Sequence, residues 1–235
     1  MDEQYREEQR RTLLIDQHRL RLFKFVLINN LRSVLSAGLL SHSEVKKRGS
    51  EFFEDISNQE VQYRRSKRPI RLSYGKTITL HDCVPLYLTP KTPTSYVHHL
   101  KGRQDRLVFI DIDTKVITEW DREILFTTGN ASSNDAVLHR DLRDLEKLPW
   151  DVLNAELWNE FDDGTRLRNS EFLIHPLILP KFFSRLVVNC KESQIKVRAI
   201  LTQLNRKLPV DIDQSYFFSS GSNIDHVGEV LPLPF

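Results

Sequence analysis

Cysteine is scarce in this sequence: only Cys83 and Cys190 occur, and they form neither a CxxC pair nor any zinc-ligand spacing. That excludes a disulfide framework, gives no reason to expect a structural metal, and makes both thiols read as buried groups in a reducing compartment. No apolar run approaches the ~20 residues that span a bilayer. Residues 1–8 are acidic and polar, which is not how a secretory signal begins. The expectation is a cytoplasmic protein with no membrane partner. HExxH, GxGxxG, P-loop, GxSxG and EF-hand patterns are all missing, as is any internal repeat, so the common zinc-protease, dinucleotide-fold, phosphate-loop, hydrolase and calcium signatures do not apply. A formal net charge of +2 is too small to announce nucleic acid by bulk charge, and its distribution matters more.

What is present suits a globular domain. The 235 residues are enough for one large domain or two small ones, and 40% hydrophobic and 28% charged residues are ordinary proportions. Residues 1–21 mix both charges with little apolar pattern and read as an added helix or a frayed arm. A strand is predicted over 22–28. Asn29 or Asn30 then caps a short helix whose Leu31, Val34 and Leu35 share a face and which stops at Gly38. Such a strand–cap–helix unit aims backbone N–H groups at a natural phosphate position. Residues 44–60 read as polar helix or loop, 81–88 as a strand, 89–94 as a proline-punctuated loop, 107–110 and 124–126 as strands, and 127–130 as a turn. The spacing predicts a helix over 136–148 with Leu138, Leu142, Leu145 and Leu148 on one side, and another from Pro149. Strands at 171–174, 186–188 and 210–212, a helix over 193–205 and a loose tail over 219–235 complete a mixed α+β domain.

Three groups of residues invite a chemical reading. Residues 61–80 contain no Asp or Glu but carry Arg64, Arg65, Lys67, Arg68, Arg71 and Lys76. With Tyr63 and Tyr74 as stacking surfaces they form either a phosphate-contacting segment or a solvated loop. Glu171 sits on a presumed strand with Leu173 on its side and Phe172 and Ile174 opposite. It is either a cleft carboxylate or an edge-strand group in water. Tyr87, Trp150 and Trp158 lie on apolar faces, where core packing is the ordinary role for the tryptophans. The adjacent pair His98-His99 would point to opposite sides of a strand, a poor metal site.

Several stretches, taken in order, resemble the DarT family, the toxin halves of DarT–DarG toxin–antitoxin pairs. They are Asn30-Leu31 with the helix running to Gly38-Leu39-Leu40, Val61-Gln62-Tyr63-Arg64-Arg65-Ser66, and His81-Asp82-Cys83-Val84-Pro85-Leu86-Tyr87-Leu88-Thr89-Pro90. Phe126-Thr127-Thr128-Gly129, Leu145-Glu146-Lys147-Leu148-Pro149-Trp150, Trp158 and Ser170-Glu171-Phe172-Leu173-Ile174 follow. The resemblance covers roughly residues 22–218, between the N-terminal segment 1–21 and the tail 219–235. It implies an ADP-ribosyltransferase-like split, bent β core surrounded by helices, with NAD as co-substrate, no metal, and a base in single-stranded DNA as target. By motif position Arg65 and Glu171 would be catalytic, and Lys24, Asn30 and Tyr87 would bind NAD, Tyr87 on the nicotinamide side. Arg64, Lys67 and Arg68 would contact nucleic acid. A macrodomain antitoxin is an expected kind of partner, and a toxin or phage-defence role is implied. The chain departs from the family where a first-strand histidine is replaced by Lys24 and a second falls at Leu27, and it carries Thr128 and Asn130 in the later stretch. These departures leave open an active enzyme with a rearranged pocket, a catalytically altered DNA-binding module, or an interaction module acting on a protein.

Overall fold

The computed structural model describes residues 3–49, 59–118, 123–219 and 222. The N-terminal segment is a helix, α1 (Glu3–Gln17), in which only Ile15 is buried. It is tied down by Arg11, whose Nη1 donates to the Ile117 carbonyl at 3.3 Å. Strand β1 (Leu22–Leu27) runs straight into α2 (Ile28–Ala37). The N-cap position is Leu27, with no side-chain cap, so Asn29 and Asn30 lie inside the first turn instead of before it. Gly38 ends α2 at φ +90°, and a Cβ there would stand 2.3 Å from the Ile178 carbonyl oxygen, so glycine permits the close approach.

Strand β2 (Leu39–Leu40) leads to α3 (His42–Arg48), capped by Ser41, whose hydroxyl accepts from the Glu44 N–H at 3.3 Å. The expected segment 44–60 falls partly outside the described residues. Helix α4 (Gln59–Lys67) then carries the basic segment into a hairpin of β3 (Pro69–Arg71) and β4 (Thr77–Thr79). A single 3-10 turn, Leu80–Asp82, delays the next strand, so β5 is Val84–Tyr87 and not 81–88. Asp82 makes the turn by accepting from the Thr79 N–H at 2.8 Å.

Residues expected as loop contain the start of a helix, α5 (Pro93–Leu100). Thr92 and Ser95 cap each other's N–H groups, at 2.9 and 3.1 Å, and Pro93 needs no donor in the first turn. His98 and His99 are therefore helical neighbours, not strand neighbours. Strand β6 (Leu107–Ile112), α6 (Lys115–Thr118), β7 (Phe126–Thr127) and β8 (Leu138–His139) follow.

The helix predicted over 136–148 does not form. Its place is taken by β8 and a 3-10 helix, Leu142–Lys147. Asp141 restarts the chain by accepting from the Arg143 N–H at 2.9 Å, and His139 is held by Asp144 at 3.0 Å and stacked on Phe126. Buried Leu142, Leu145 and Leu148 recur every third residue, which is the period of a 3-10 turn and not of an α-helix.

The remaining elements are α7 (Trp150–Asn154), α8 (Gly164–Arg168), β9 (Glu171–Ile174), β10 (Leu177–Ile178), β11 (Phe183–Val188), α9 (Lys191–Gln203) and β12 (Val210–Ile212). Trp158 is fully buried, whereas Trp150 is half-buried and donates from Nε1 to the Leu145 carbonyl at 2.7 Å. Apart from Ser219 and Ser222, the tail lies outside the described residues.

The main sheet has the order β12-β11-β6-β1-β5-β9-β7-β8. All neighbours are antiparallel except β11 and β12. Strands β1 and β6 match from Leu22↔Ile112 through Leu27↔Leu107, yet β1 meets β5 at Phe23↔Tyr87 alone. The sheet is thus divided into two halves joined at one register position. Alternation supplies two layers: Leu22, Val26, Val108 and Phe172 pack into the large core with α2 and α9, while Phe23, Phe25, Phe109 and Tyr216 form a second cluster on the opposite face.

Candidate active site

Where the sheet divides, a cleft of about 510 Å³ opens between β1, α2, α3, α4 and β5. Four of the residues singled out from the sequence line it: Lys24, Asn30, Arg65 and Tyr87. Glu171 lies behind Arg65. It is 4% exposed and Arg65 6%, so Glu171 is a buried carboxylate and not an edge-strand group in water. Strand pairing explains the placement: Tyr87 is directly opposite Glu171 on β9, and Thr127 on β7 is opposite it from the other side. Three strands thus carry Tyr87, Glu171 and Thr127 abreast.

A buried carboxylate must be paired and hydrogen-bonded, and this one is. Arg65 Nη1 donates to Oε1 at 3.1 Å and to Oε2 at 3.2 Å, and the Ala131 N–H donates to Oε1 at 2.8 Å. Arg65 Nη2 is buried and has no hydrogen-bond partner. The segment that supplies Ala131 is gripped from two sides. Arg68 Nη1 donates to the Ala131 carbonyl at 2.6 Å and also to that of Ser133, and Nη2 donates to the Ala136 carbonyl at 2.7 Å. Arg166 Nη1 donates to the Thr128 carbonyl at 2.9 Å, and the Arg166 carbonyl accepts from the Asn130 N–H at 3.2 Å.

The cleft tunes the groups around it. Burial pushes the Lys24 ammonium down to about 8; the Arg65 charge pushes the same way and Glu171 opposes it. Lys24 Nζ stands 5.8 Å from the Tyr87 ring centre. Burial raises the Tyr87 phenol to about 12, partly offset by a hydrogen bond with Thr94. Tyr87 stacks on Phe25 at 5.6 Å, and Phe25 in turn meets His98 edge-on. His81, whose ring is tilted against that of His42 with centres 4.3 Å apart, is lowered to about 4, by burial first and then by the charges of His42 and Arg65. His98 is also lowered to about 4, by burial and then by Lys101, Arg103 and Arg106. Burial lifts the Cys83 thiol to about 12, which makes it an inert wall residue and not a nucleophile.

The basic segment divides into an inner and an outer set. Arg65 and Arg68 turn inward, as described. Lys67 is exposed, with Nζ 5.5 Å from the ring centre of Tyr63 one helical turn away. Arg64 is half-buried and its Nε lacks a partner. Tyr63 and Tyr74 are 64% and 66% exposed, and Arg71 and Lys76 are exposed as well. Sequence reasoning missed the Ala131 N–H, which no side-chain pattern reveals, and missed His81 and His98 as cleft residues. Thr92-Pro93 followed by Ser95 is the signal that would have placed His98 on a helix. Among the described residues no group of three or more His, Cys, Asp and Glu side chains is arranged to hold a metal, and no helix is long and apolar enough to cross a membrane.

The fold is shared with solved DarT proteins. The Thermus sp. 2.9 DarT in complex with ADP-ribosylated ssDNA superposes with a TM-score of 0.76 at 21% identity, over 85% of this chain and 96% of that one. The same Thermus protein in complex with NAD+ gives 0.70 at 20% identity, covering 85% and 98%. A DNA ADP-ribosyl transferase–DNA ADP-ribosyl glycohydrolase fusion protein from Thermosipho africanus is 26% identical over 199 residues, which is 84% of this chain. The chain spans 49% of that relative's length. Residues 23–218 match the family described as ssDNA thymidine ADP-ribosyltransferase, DarT, and the chain belongs to that family.

Proposed function

We propose that this protein transfers ADP-ribose from NAD to a base in single-stranded DNA. The observation that carries the reading is the buried Arg65–Glu171 pair at the wall of a cleft large enough for a dinucleotide. The cleft suits such a ligand chemically. Lys24, Lys46, Arg48 and Arg65 offer cations for a pyrophosphate, and apolar walls such as Val34, Leu39 and Val45 offer surface for rings. Arg65 Nη2, buried and unsatisfied, lacks the acceptor that a phosphate oxygen would supply.

NAD supplies the ribosyl group, and breaking its bond to nicotinamide builds positive charge on the ribose, as in glycoside hydrolysis. The Glu171 carboxylate, held in one orientation by the Ala131 N–H, stabilises that charge and accepts the proton of the attacking base. Arg65 stands between the cleft and Glu171, so it gives up one carboxylate contact to a phosphate as the site fills. Tyr87, neutral at physiological pH and stacked on Phe25, offers its face to the nicotinamide side. A base within a duplex is out of reach, so the substrate strand is single or its base is flipped out. Lys67, Arg64 and the exposed Tyr63 guide it.

A toxin role, or one in phage defence, follows as a further part of the proposal, as does a macrodomain partner that reverses the modification. The fusion relative supports that pairing, since its second half is named as a glycohydrolase. The alternative is a DNA-binding module without transferase activity, favoured by the Lys24 charge enclosed in the cleft. The deciding experiment is intact mass spectrometry of mixed-sequence oligonucleotides incubated with protein and NAD. A gain of one ADP-ribose unit that disappears with Glu171→Ala supports transfer. No gain on any strand, with the protein folded and binding the oligonucleotide, hands the lead to the binding module.

A further inference from the structure

We infer that Arg68 is a positioning residue for the catalytic carboxylate and not a contact to nucleic acid; the inference rests on the transferase reading above. Its guanidinium is committed to the protein. Nη1 serves the Ala131 and Ser133 carbonyls and Nη2 the Ala136 carbonyl, so one cation fastens three peptide units of a single segment. Arg68 is half-buried; burial lowers its pKa, the Glu171 charge opposes that shift and the Arg65 charge adds to it.

The decisive residue in this arrangement is Ala131, 1% exposed. Arg68 holds its carbonyl, and its N–H holds Glu171 Oε1 at 2.8 Å. The path from Arg68 to the carboxylate therefore runs through one residue of backbone. Arg166 secures one end of the segment at Thr128 and Asn130, Asn130 closes the turn by accepting from the Ser132 and Ser133 N–H groups at 2.9 Å each, and Arg68 fixes the Ala131 carbonyl itself. A guanidinium can reach carbonyls in two directions at once, which an ammonium cannot, so lysine is a poor replacement here. Displacing a group that orients a catalytic carboxylate by about 1 Å is enough to cost roughly 10²-fold in turnover.

The test compares wild type, Arg68→Ala and Arg68→Lys in ADP-ribose transfer from NAD to a saturating single-stranded oligonucleotide, in oligonucleotide binding across salt, and in amide exchange at Ala131. Circular dichroism confirms folding. For Arg68→Ala the expected result is about a 10²-fold fall in NAD turnover with KM for NAD within about threefold. Oligonucleotide affinity and its salt slope stay at wild-type values, and the Ala131 amide exchanges faster. Arg68→Lys, the variant more certain to fold, recovers less than a tenth of the lost turnover. A salt slope reduced by about 1 with transfer at saturating oligonucleotide unchanged would make Arg68 a phosphate contact and overturn the inference. Amide exchange at Ala131 unchanged in both variants also overturns it, whether or not the wild type turns over NAD. Absence of turnover in the wild type counts separately, against the transferase reading.

Discussion

Arg65 meets both carboxylate oxygens of Glu171 through a single nitrogen, Nη1, while Nη2 of the same guanidinium is buried without a partner. The pair is therefore saturated on the acid side and unfinished on the base side. That asymmetry suits a cation that has a second anion to meet.

Breaking the pair from one side leaves a buried charge. Glu171→Ala is expected to abolish modification and to cost roughly 3–5 kcal/mol of stability, because Arg65 keeps its charge and loses its partner. Replacing both, Arg65→Met with Glu171→Met, should restore much of that stability while leaving the protein inactive. Urea unfolding of Arg65→Met, Glu171→Met and the double measures the coupling. Strict additivity of the single losses would show that the pair contributes nothing as a unit.

The outer face of α4 and the turn between β3 and β4 carry a separate expectation. Tyr63→Ala and Tyr74→Ala should each weaken single-stranded DNA binding by roughly tenfold, since stacking on an exposed aromatic is worth about 1–3 kcal/mol per base. Lys67→Ala should reduce the salt slope of binding by about 1. Transfer at saturating oligonucleotide should be unchanged in all three. Fluorescence anisotropy with a labelled oligonucleotide reads the first two effects, and wild-type affinity in every variant would place the strand elsewhere.

Lys24 makes a prediction about pH. Its folded-state pKa of about 8 lies below the ordinary 10.5, so the unfolded chain binds the proton more tightly between those values. The enclosed charge therefore costs stability in full below about pH 8, and the cost vanishes as pH rises to 10.5. Lys24→Met should be more stable than wild type at pH 7 by on the order of 2 kcal/mol, with the gap closing across that window. Thermal unfolding of both proteins at a series of pH values checks it. A gap independent of pH would mean that packing and not charge is responsible.

Gly129 sits at φ +120° with Arg166 Nη1 2.4 Å from where a Cβ would be. Gly129→Ala should strain the backbone by roughly 1–3 kcal/mol and push Arg166 off the Thr128 carbonyl. The segment that presents the Ala131 N–H then loosens, so NAD turnover should fall along with stability. A variant that matches wild type in both would show that the segment tolerates other conformations.

Much of the scaffold was legible because it is written in uninterrupted apolar runs. Leu107-Val108-Phe109-Ile110, Phe172-Leu173-Ile174 and Leu186-Val187-Val188 all became strands, and burial alone dictates that. Elements decided by a few polar contacts were not legible. The 138–148 stretch has leucines that fit a helix loosely, but Asp141 and the His139–Asp144 contact impose a strand and a 3-10 turn. The Thr92–Ser95 box turned a proline-marked loop into the start of α5. For the site, family resemblance pointed to Arg65 and Glu171, and strand register brings Tyr87 beside Glu171. Composition shows that residues 61–80 are basic, but it cannot sort the cations that face inward, Arg65 and Arg68, from those that face outward. That sorting depends on helical phase and on a distant segment, 131–136, whose carbonyls needed a donor.

The lone register position joining β1 to β5, Phe23↔Tyr87, has a mechanical consequence. Each half of the sheet is stiffened by its own ladder, whereas the seam between them is held by the shared core and by Tyr87 stacked on Phe25, with little backbone pairing of its own. A ligand long enough to touch both halves acts as a tie-bar across that seam. Its arrival should add a link across a junction otherwise held by side chains, raising the midpoint of unfolding.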